Sequence, residues 1–322
     1  MLKHAPVWLV VVIVAGITSL VGLAQSALDP RVESFATLPS AAATENIAQA
    51  PDGSIYVTGM DDKVLWKVTT SGQVEKFADV PGVNQVLGVA PSDNGVVVTA
   101  FLRPFRRPAP APAQPPAAGA APPAPALQID FSDVGTEVLV FDKNGKVTAT
   151  IPGQKGQAFN GITAVGKGKF LIADSNAGTI WQVDASKKQI EPWIKDDVLA
   201  PAGNVPIGAN GVKARNGWVY VSVTGKGAIY RVQMDSNGRP QGTLKLFSEG
   251  FRPDDFDVAK DGSIYSSSGT TMFKVSPDGQ VSKYLENVPG GPATLVSGDG
   301  KWVYWPTRGG TSPQRVLRTA IH

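Results

Sequence analysis

The chain is 322 residues long, with 35 glycines, no cysteine and a formal net charge of +3. Without cysteine there is no disulfide and no thiolate chemistry, and the one local basic cluster, Arg103, Arg106 and Arg107, is too small to argue for nucleic acid. The two histidines, His4 and His322, sit at the chain ends. A Ser-His-Asp triad, a His general base and a His-ligated zinc site are therefore excluded from a folded core, and chemistry falls to carboxylates, amides, hydroxyls, Lys, Arg or a hard metal ion.

Taken in chain order, Lys3 and His4 precede an apolar run from Val7 to Ala24, followed by the small residues Ser26 and Ala27. Residues 1–27 read as an export signal or an N-terminal membrane anchor, cleavage near 24–27 being the first expectation. Either way the rest of the chain is expected outside the cytoplasm, periplasmic or secreted. From there one pattern recurs: an apolar strand, a polar turn ending in Gly, and a second apolar strand. It appears as IAQAPDGSIYVTG, LGVAPSDNGVVVTA, GITAVGKGKFLIAD, NGVKARNGWVYVSV, DFDVAKDGSIYSSS and ATLVSGDGKWVYWPT, with turn glycines Gly53, Gly95, Gly168, Gly217, Gly262 and Gly300. A second hairpin follows the inner strands, clearest in VLWKVTTSGQVEKF. A spacing of about 40–50 residues with four strands per unit predicts an all-β, six-bladed β-propeller over residues 28–322. The last unit lacks its outermost strand, and RVESFATL at 31–38 is expected to supply it and close the ring. One spacing is longer because it holds the Pro/Ala-rich stretch 103–126, expected as an extended insertion between the second and third strands of the second blade. Asp174, Ser175 and Asn176 end an inner strand and are expected to cap a turn, and Trp66, Trp181, Trp302 and Trp305 to pack between blades.

The first residues of the innermost strands all meet one face of the tunnel. Counting back from the turn glycines, the matched positions hold Glu45, Leu87, Asn160, Asn210, Asp254 and Pro292. Four oxygen-bearing side chains from four blades thus converge near the axis. One Glu, one Asp and two Asn suit a hard divalent cation, Ca²⁺ first, with Mn²⁺, Mg²⁺ or Zn²⁺ as alternatives; zinc prefers His and Cys.

These segments resemble the SMP-30/gluconolactonase/luciferin-regenerating-enzyme family of six-bladed propellers over nearly all of residues 31–310. TENIAQAPDGSIYVTG is similar to the family's first blade, whose Glu binds metal, which implies Glu45 as a ligand. FNGITAVGKGKFLIADS resembles the blade whose Asn faces the substrate, which implies that role for Asn160. ANGVKARNGWVYVS implies Asn210 as a second ligand. RPDDFDVAKDGSIYSS implies Asp254 as both ligand and general base. The family's Gly after that Asp is Asp255 here, an extra carboxylate placed among the substrate-binding candidates. The family's sugar-lactone hydrolases also carry an Arg two residues before the substrate-facing Asn. Here that residue is Ala158, which removes an anchor for a polyhydroxy acid. Arg103, Arg252 and Arg308 lie on the same predicted face and are the candidate replacements. The resemblance implies a metal-dependent, monomeric hydrolase that opens a lactone or related cyclic ester and takes a small-molecule substrate. The alternatives are a non-catalytic binding propeller with a structural metal, and a strictosidine-synthase-like condensing enzyme or lyase. The streptogramin lyases are similar in blade style, but their mechanism depends on a histidine that this core lacks.

Overall fold

The computed structural model describes residues 28–106, 129–203, 205–309 and 313–322. Residues 1–27, expected as an export signal or membrane anchor, and residues 107–126 of the insertion lie outside them. The first strand, β1 (Glu33–Thr37), precedes five sequential blades. Blade one is β2 (Thr44–Gln49), β3 (Ile55–Gly59), β4 (Val64–Val68) and β5 (Val74–Asp79). Blade two is β6 (Gln85–Ser92), β7 (Gly95–Phe101), β8 (Thr136–Asp142) and β9 (Val147–Pro152). Blade three is β10 (Phe159–Gly166), β11 (Lys169–Asp174), β12 (Thr179–Asp184) and β13 (Gln189–Lys195). Blade four is β14 (Ala209–Arg215), β15 (Trp218–Val223), β16 (Ala228–Met234) and β17 (Pro240–Glu249). Blade five is β18 (Phe256–Val258), β19 (Ile264–Ser268), β20 (Thr271–Val275) and β21 (Val281–Glu286). Blade six is β22 (Leu295–Val296), β23 (Trp302–Pro306), β24 (Arg315–Ala320) and, outermost, β1. The antiparallel pairing of Glu33 with Arg318 and of Thr37 with Arg315 closes the ring between the two chain ends, as the repeat register predicts.

The repeated Asp-Gly-Ser turn has a local cause. Asp52 Oδ1 accepts from the Ser54 amide while Gly53 takes φ +84°, a conformation that a side chain disfavours. Asp261, Gly262 and Ser263 repeat the arrangement. The buried apolar residues do not form one central core. They gather in wedges between neighbouring blades. One joins blade six to blade one through Ala36, Leu38, Leu295 and Val316 against Ile47, Val57 and Trp66. Another joins blades four and five through Ile229, Phe247 and Phe251 against Phe256 and Ile264. Alternation within each strand sends one side chain into each wedge, and each fully buried Val, Leu, Ile or Phe contributes about 1.5–3 kcal/mol.

Two features aim the inner strands. First, β2, β6, β10 and β14 each slip register after their first residues, at 45–46, 87–88, 160–161 and 210–211. Such bulges bend the strand and re-aim its side chains. Second, hydroxyls stitch three of the four bulges to the next blade. Thr58 Oγ1 accepts from the Asn46 amide (2.8 Å) and donates to the Leu87 carbonyl (2.8 Å). Thr99 Oγ1 accepts from Gly88 (2.8 Å) and donates to Asn160 (2.6 Å). Ser222 Oγ accepts from Gly211 (2.7 Å) and donates to the carbonyl of Asp254.

Candidate functional site

Each predicted inner-strand residue sits at a bulge or at its equivalent just before β18, so the bulges rather than the strands themselves turn Glu45, Asn160, Asn210 and Asp254 toward the tunnel. All four line one cavity of about 900 Å³, together with Arg252, Arg308, Ser175 and Thr224. The bulge glycines make the convergence possible. A Cβ on Gly88 would meet the Asn160 carbonyl at 2.3 Å, and one on Gly161 would meet the Asn210 carbonyl at 2.6 Å.

Glu45 is buried, at 5% exposure. Arg308, on the segment after β23, reaches across to donate from Nη2 to Glu45 Oε2 (2.9 Å) and from Nη1 to Asp254 Oδ2 (2.6 Å). Its side chain is 47% exposed, so water screens both ion pairs. Burial pushes the Glu45 carboxyl up to about 7 against the pull of Arg308, and Asp254 and Asp255 add to the push. Glu45 and then Asp254 raise the Arg308 guanidinium further above its ordinary value. Asn210 Nδ2 donates to Thr224 Oγ1 (3.0 Å) and to Asp254 Oδ1. The Thr224 hydroxyl in turn donates to the Pro253 carbonyl, which fixes the sense of the amide. Asn160 Nδ2 reaches Ser175 Oγ at 3.4 Å, and that hydroxyl is tied to the Ala209 carbonyl.

Glu45, Asn160, Asn210, Asp254 and Arg308 are thus brought together as the sequence predicts, and Arg252 lines the same cavity. Two other candidates are not. Arg103 donates from Nε to the Asp133 carbonyl and lines a shallow surface depression, because its strand end faces the root of the insertion rather than the axis. Asp255 follows Asp254 just before β18 and its side chain makes its contacts away from the cavity that Asp254 lines. It is buried beneath the site, accepting from Asn46 Nδ2 (2.8 Å) and pairing with Lys213 Nζ (2.7 Å). Its role is to hold blades one, four and five together rather than to touch a substrate. Ser175 is a cavity residue that the turn-capping expectation overlooks. Its neighbour Asp174 does cap the turn, accepting from the Asn176 and Ala177 amides.

The donor set can be tested against a cation. Among the described residues no group of three His, Cys, Asp or Glu side chains converges on one point, so an ion would depend on amide oxygens as well. Glu45 Oε1 and Asn210 Oδ1 accept no hydrogen bond among the described residues, and Asp254 is joined to Asn210 directly and to Glu45 through Arg308. Three carboxylates, Glu45, Asp254 and Asp255, are paired with two cations, Arg308 and Lys213. Hard oxygens with charge to spare fit a divalent ion in chemical type. Arg308 is the resident competitor for the same carboxylates.

No sequence-family model and no curated protein matches the chain. Solved structures do. A gluconolactonase from Xanthomonas campestris aligns at 13% identity over 90% of this chain and 89% of its own, with a TM-score of 0.62. The calcium-binding protein regucalcin from Agrobacterium tumefaciens aligns at 14% over 88% and 94%, with a TM-score of 0.58. The fold is that of the gluconolactonase and regucalcin propellers. Virginiamycin B lyase from Staphylococcus aureus aligns at 12% over 90% and 99%, with a TM-score of 0.59. A lyase shares the scaffold as fully as a lactonase does, so the chemistry has to be argued from the site.

Proposed function

We propose that the chain is a hydrolase of the gluconolactonase type, opening a lactone or related cyclic ester at the tunnel mouth with one divalent cation, Ca²⁺ first. The observation that carries the reading is the meeting of Glu45, Asn160, Asn210 and Asp254 from four blades in one cavity. Glu45, Asn210 and Asp254 would hold the cation. When bound, it would polarise the ester carbonyl and offset negative charge developing on its oxygen. Asp254 is 17% exposed at the cavity floor and takes a proton from water as the water oxygen bonds to the carbonyl carbon. The ring C–O bond then breaks, and the same proton passes to the leaving alkoxide, giving a hydroxy acid. Asn160, steadied by Ser175, orients the ester by hydrogen bonding. Arg252 and Arg308 face the carboxylate that forms. With residues 1–27 read as an export signal, the reaction would take place outside the cytoplasm.

The tie between Asp254 and Arg308 supports a second reading, a propeller that binds its ligand without turnover, because the base is already engaged. A lactone panel separates the two. If the hydrolase reading holds, Asp254→Asn lowers kcat by about 10²–10⁴-fold. Equal activity in wild type and variant, or none in either with intact ligand binding, rejects it.

A further inference from the structure

The walls of the cavity are unlike each other. Across from the polar cluster stand Leu87, Phe101, Phe105, Ile129, Phe131 and Ile207. They belong to one apolar cluster, which also encloses Ala158 at 0% exposure. Phe131 sits at the centre, its ring 6.1 Å from that of Phe101 and 5.8 Å from that of Phe105. Phe105, Ile129 and Phe131 come from the two roots of the insertion. The roots are clamped together by paired backbone bonds, Arg106 to Asp130 (3.1 Å) and Asp130 to Arg106 (2.9 Å). The Arg106–Asp133 ion pair closes the same junction at 2.8 Å. The wall is therefore built and held, not a chance exposure of apolar side chains.

Ala158 is fully buried, so an Arg at this position would have to extend among the apolar side chains of Leu87, Phe131 and Val134. Hydroxyls of a polyhydroxylated ring laid against the same wall would lose water and find no partner. An alkyl or aryl arm would instead gain from every methylene it buries. Resting on the hydrolase reading for the polar half, we propose that this site takes amphipathic esters: lactones or related cyclic esters carrying an apolar arm, the ester carbonyl at the Asn160–Asp254 side and the arm along the Phe101–Phe105–Phe131 wall.

The test has a binding arm and a turnover arm on the full chain. In the first, straight-chain alkanoates from butanoate to decanoate, stand-ins for the product acid, are titrated calorimetrically beside gluconate. The expected affinity rises by about two- to fourfold per added methylene until the wall is covered, with gluconate weaker than hexanoate. Phe105→Ser and Ile129→Thr, at half-buried positions, should flatten the series, with a loss of affinity that grows with chain length, while thermal melting checks that the fold is kept. In the second arm, γ-lactones of rising tail length are compared with glucono-δ-lactone as substrates. A flat series, or gluconate binding more tightly than the long alkanoates, overturns the proposal even if lactones are hydrolysed. A steep series with no hydrolysis keeps the amphipathic ligand and removes the hydrolase reading.

Discussion

Replacing Asp174 with Ala should unfasten the blade that carries Asn160. The Asp174 side chain is fully buried, and its Oδ1 accepts from the amides of Ala158 (2.9 Å), Asn176 (3.0 Å) and Ala177 (3.0 Å) while Oδ2 accepts from Trp181 Nε1 (2.9 Å). Burial raises this carboxyl above its ordinary value, and the four donors act in the opposite direction. Truncation orphans the amide of Ala158, which no water reaches, at about 1–3 kcal/mol. Asn176, Ala177 and Trp181 are half-buried and recover part of their loss by hydration, at about 0.5–1 kcal/mol each. Relief of the buried charge offsets some of this, leaving a net destabilisation of about 3 kcal/mol. At about 2 °C per kcal/mol for a domain of this size, Tm falls by about 6 °C. Asp174→Asn keeps its oxygen on the three amides and loses only the Trp181 bond, so it should cost about 1 kcal/mol. Urea denaturation of the three proteins, with calorimetry as a second probe, measures the series. An Ala variant within about 1 kcal/mol of wild type, or no worse than the Asn variant, would refute the account. Because Asn160 lies two residues beyond Ala158, a loosened turn should also weaken ligand binding.

Lys213→Met strands Asp255, at 5% exposure, without its cation and should cost about 3–5 kcal/mol in urea denaturation, part of which a second change, Asp255→Asn, restores. Gly161→Ala drives a Cβ to 2.6 Å from the Asn210 carbonyl and 2.9 Å from Gly211 Cα, both backbone atoms, so blades three and four must part at a cost of about 1–3 kcal/mol; an unchanged Tm would show that the blades give more easily than supposed. Arg308→Met frees Glu45 and Asp254, and two half-exposed ion pairs at about 0.5–1 kcal/mol each imply Ca²⁺ affinity about 5–30-fold higher by calorimetric titration, whereas unchanged affinity would mean the guanidinium and the ion do not compete. Asp257 is raised mainly by burial, so the native state takes up its proton before the unfolded chain does. The cost of holding it ionised is present above the unfolded carboxylate's pKa of about 4 and is relieved as pH falls through the folded value. Wild type should therefore gain stability relative to Asp257→Asn between pH 7 and pH 4, and a loss over that range would contradict the burial argument.

The ring was legible because its cause is local and repeated. Turn glycines at positive φ and period-two strands recur in every blade, Asp-Gly-Ser turns recur in blades one and five, and even the closing pair of β1 with β24 follows from a missing strand at one end and a spare one at the other. Glu45, Asn160, Asn210 and Asp254 were legible for the same reason: Glu45, Asn160 and Asp254 lie eight residues before their turn glycines and Asn210 seven. Arg103 and Asp255 were misplaced because an offset gives depth along the tunnel but not the side a residue faces. Consecutive residues just before β18 stand at nearly the same depth but face different ways, so Asp254 meets the cavity while Asp255 meets Lys213. The hydroxyls Thr58, Thr99 and Ser222 did carry a signal, since each falls four or five residues after its turn glycine in an otherwise apolar strand.

What the repeat could not carry is whatever does not repeat. Arg308 bonds to a glutamate 263 residues earlier in the chain, and among the described residues no other blade offers a copy of that reach. The Phe105–Phe131 contact is made by the roots of an insertion that only blade two possesses. Both features bear on the candidate chemistry more directly than the scaffold does. The first decides whether Glu45 and Asp254 meet a guanidinium or a metal ion, and the second decides what kind of molecule can lie beside them. Against bulges repeated on four blades and bridging hydroxyls on three, a single arginine on blade six neutralises part of the charge on Glu45 and Asp254, and a single aromatic junction on blade two gives the same cavity an apolar wall.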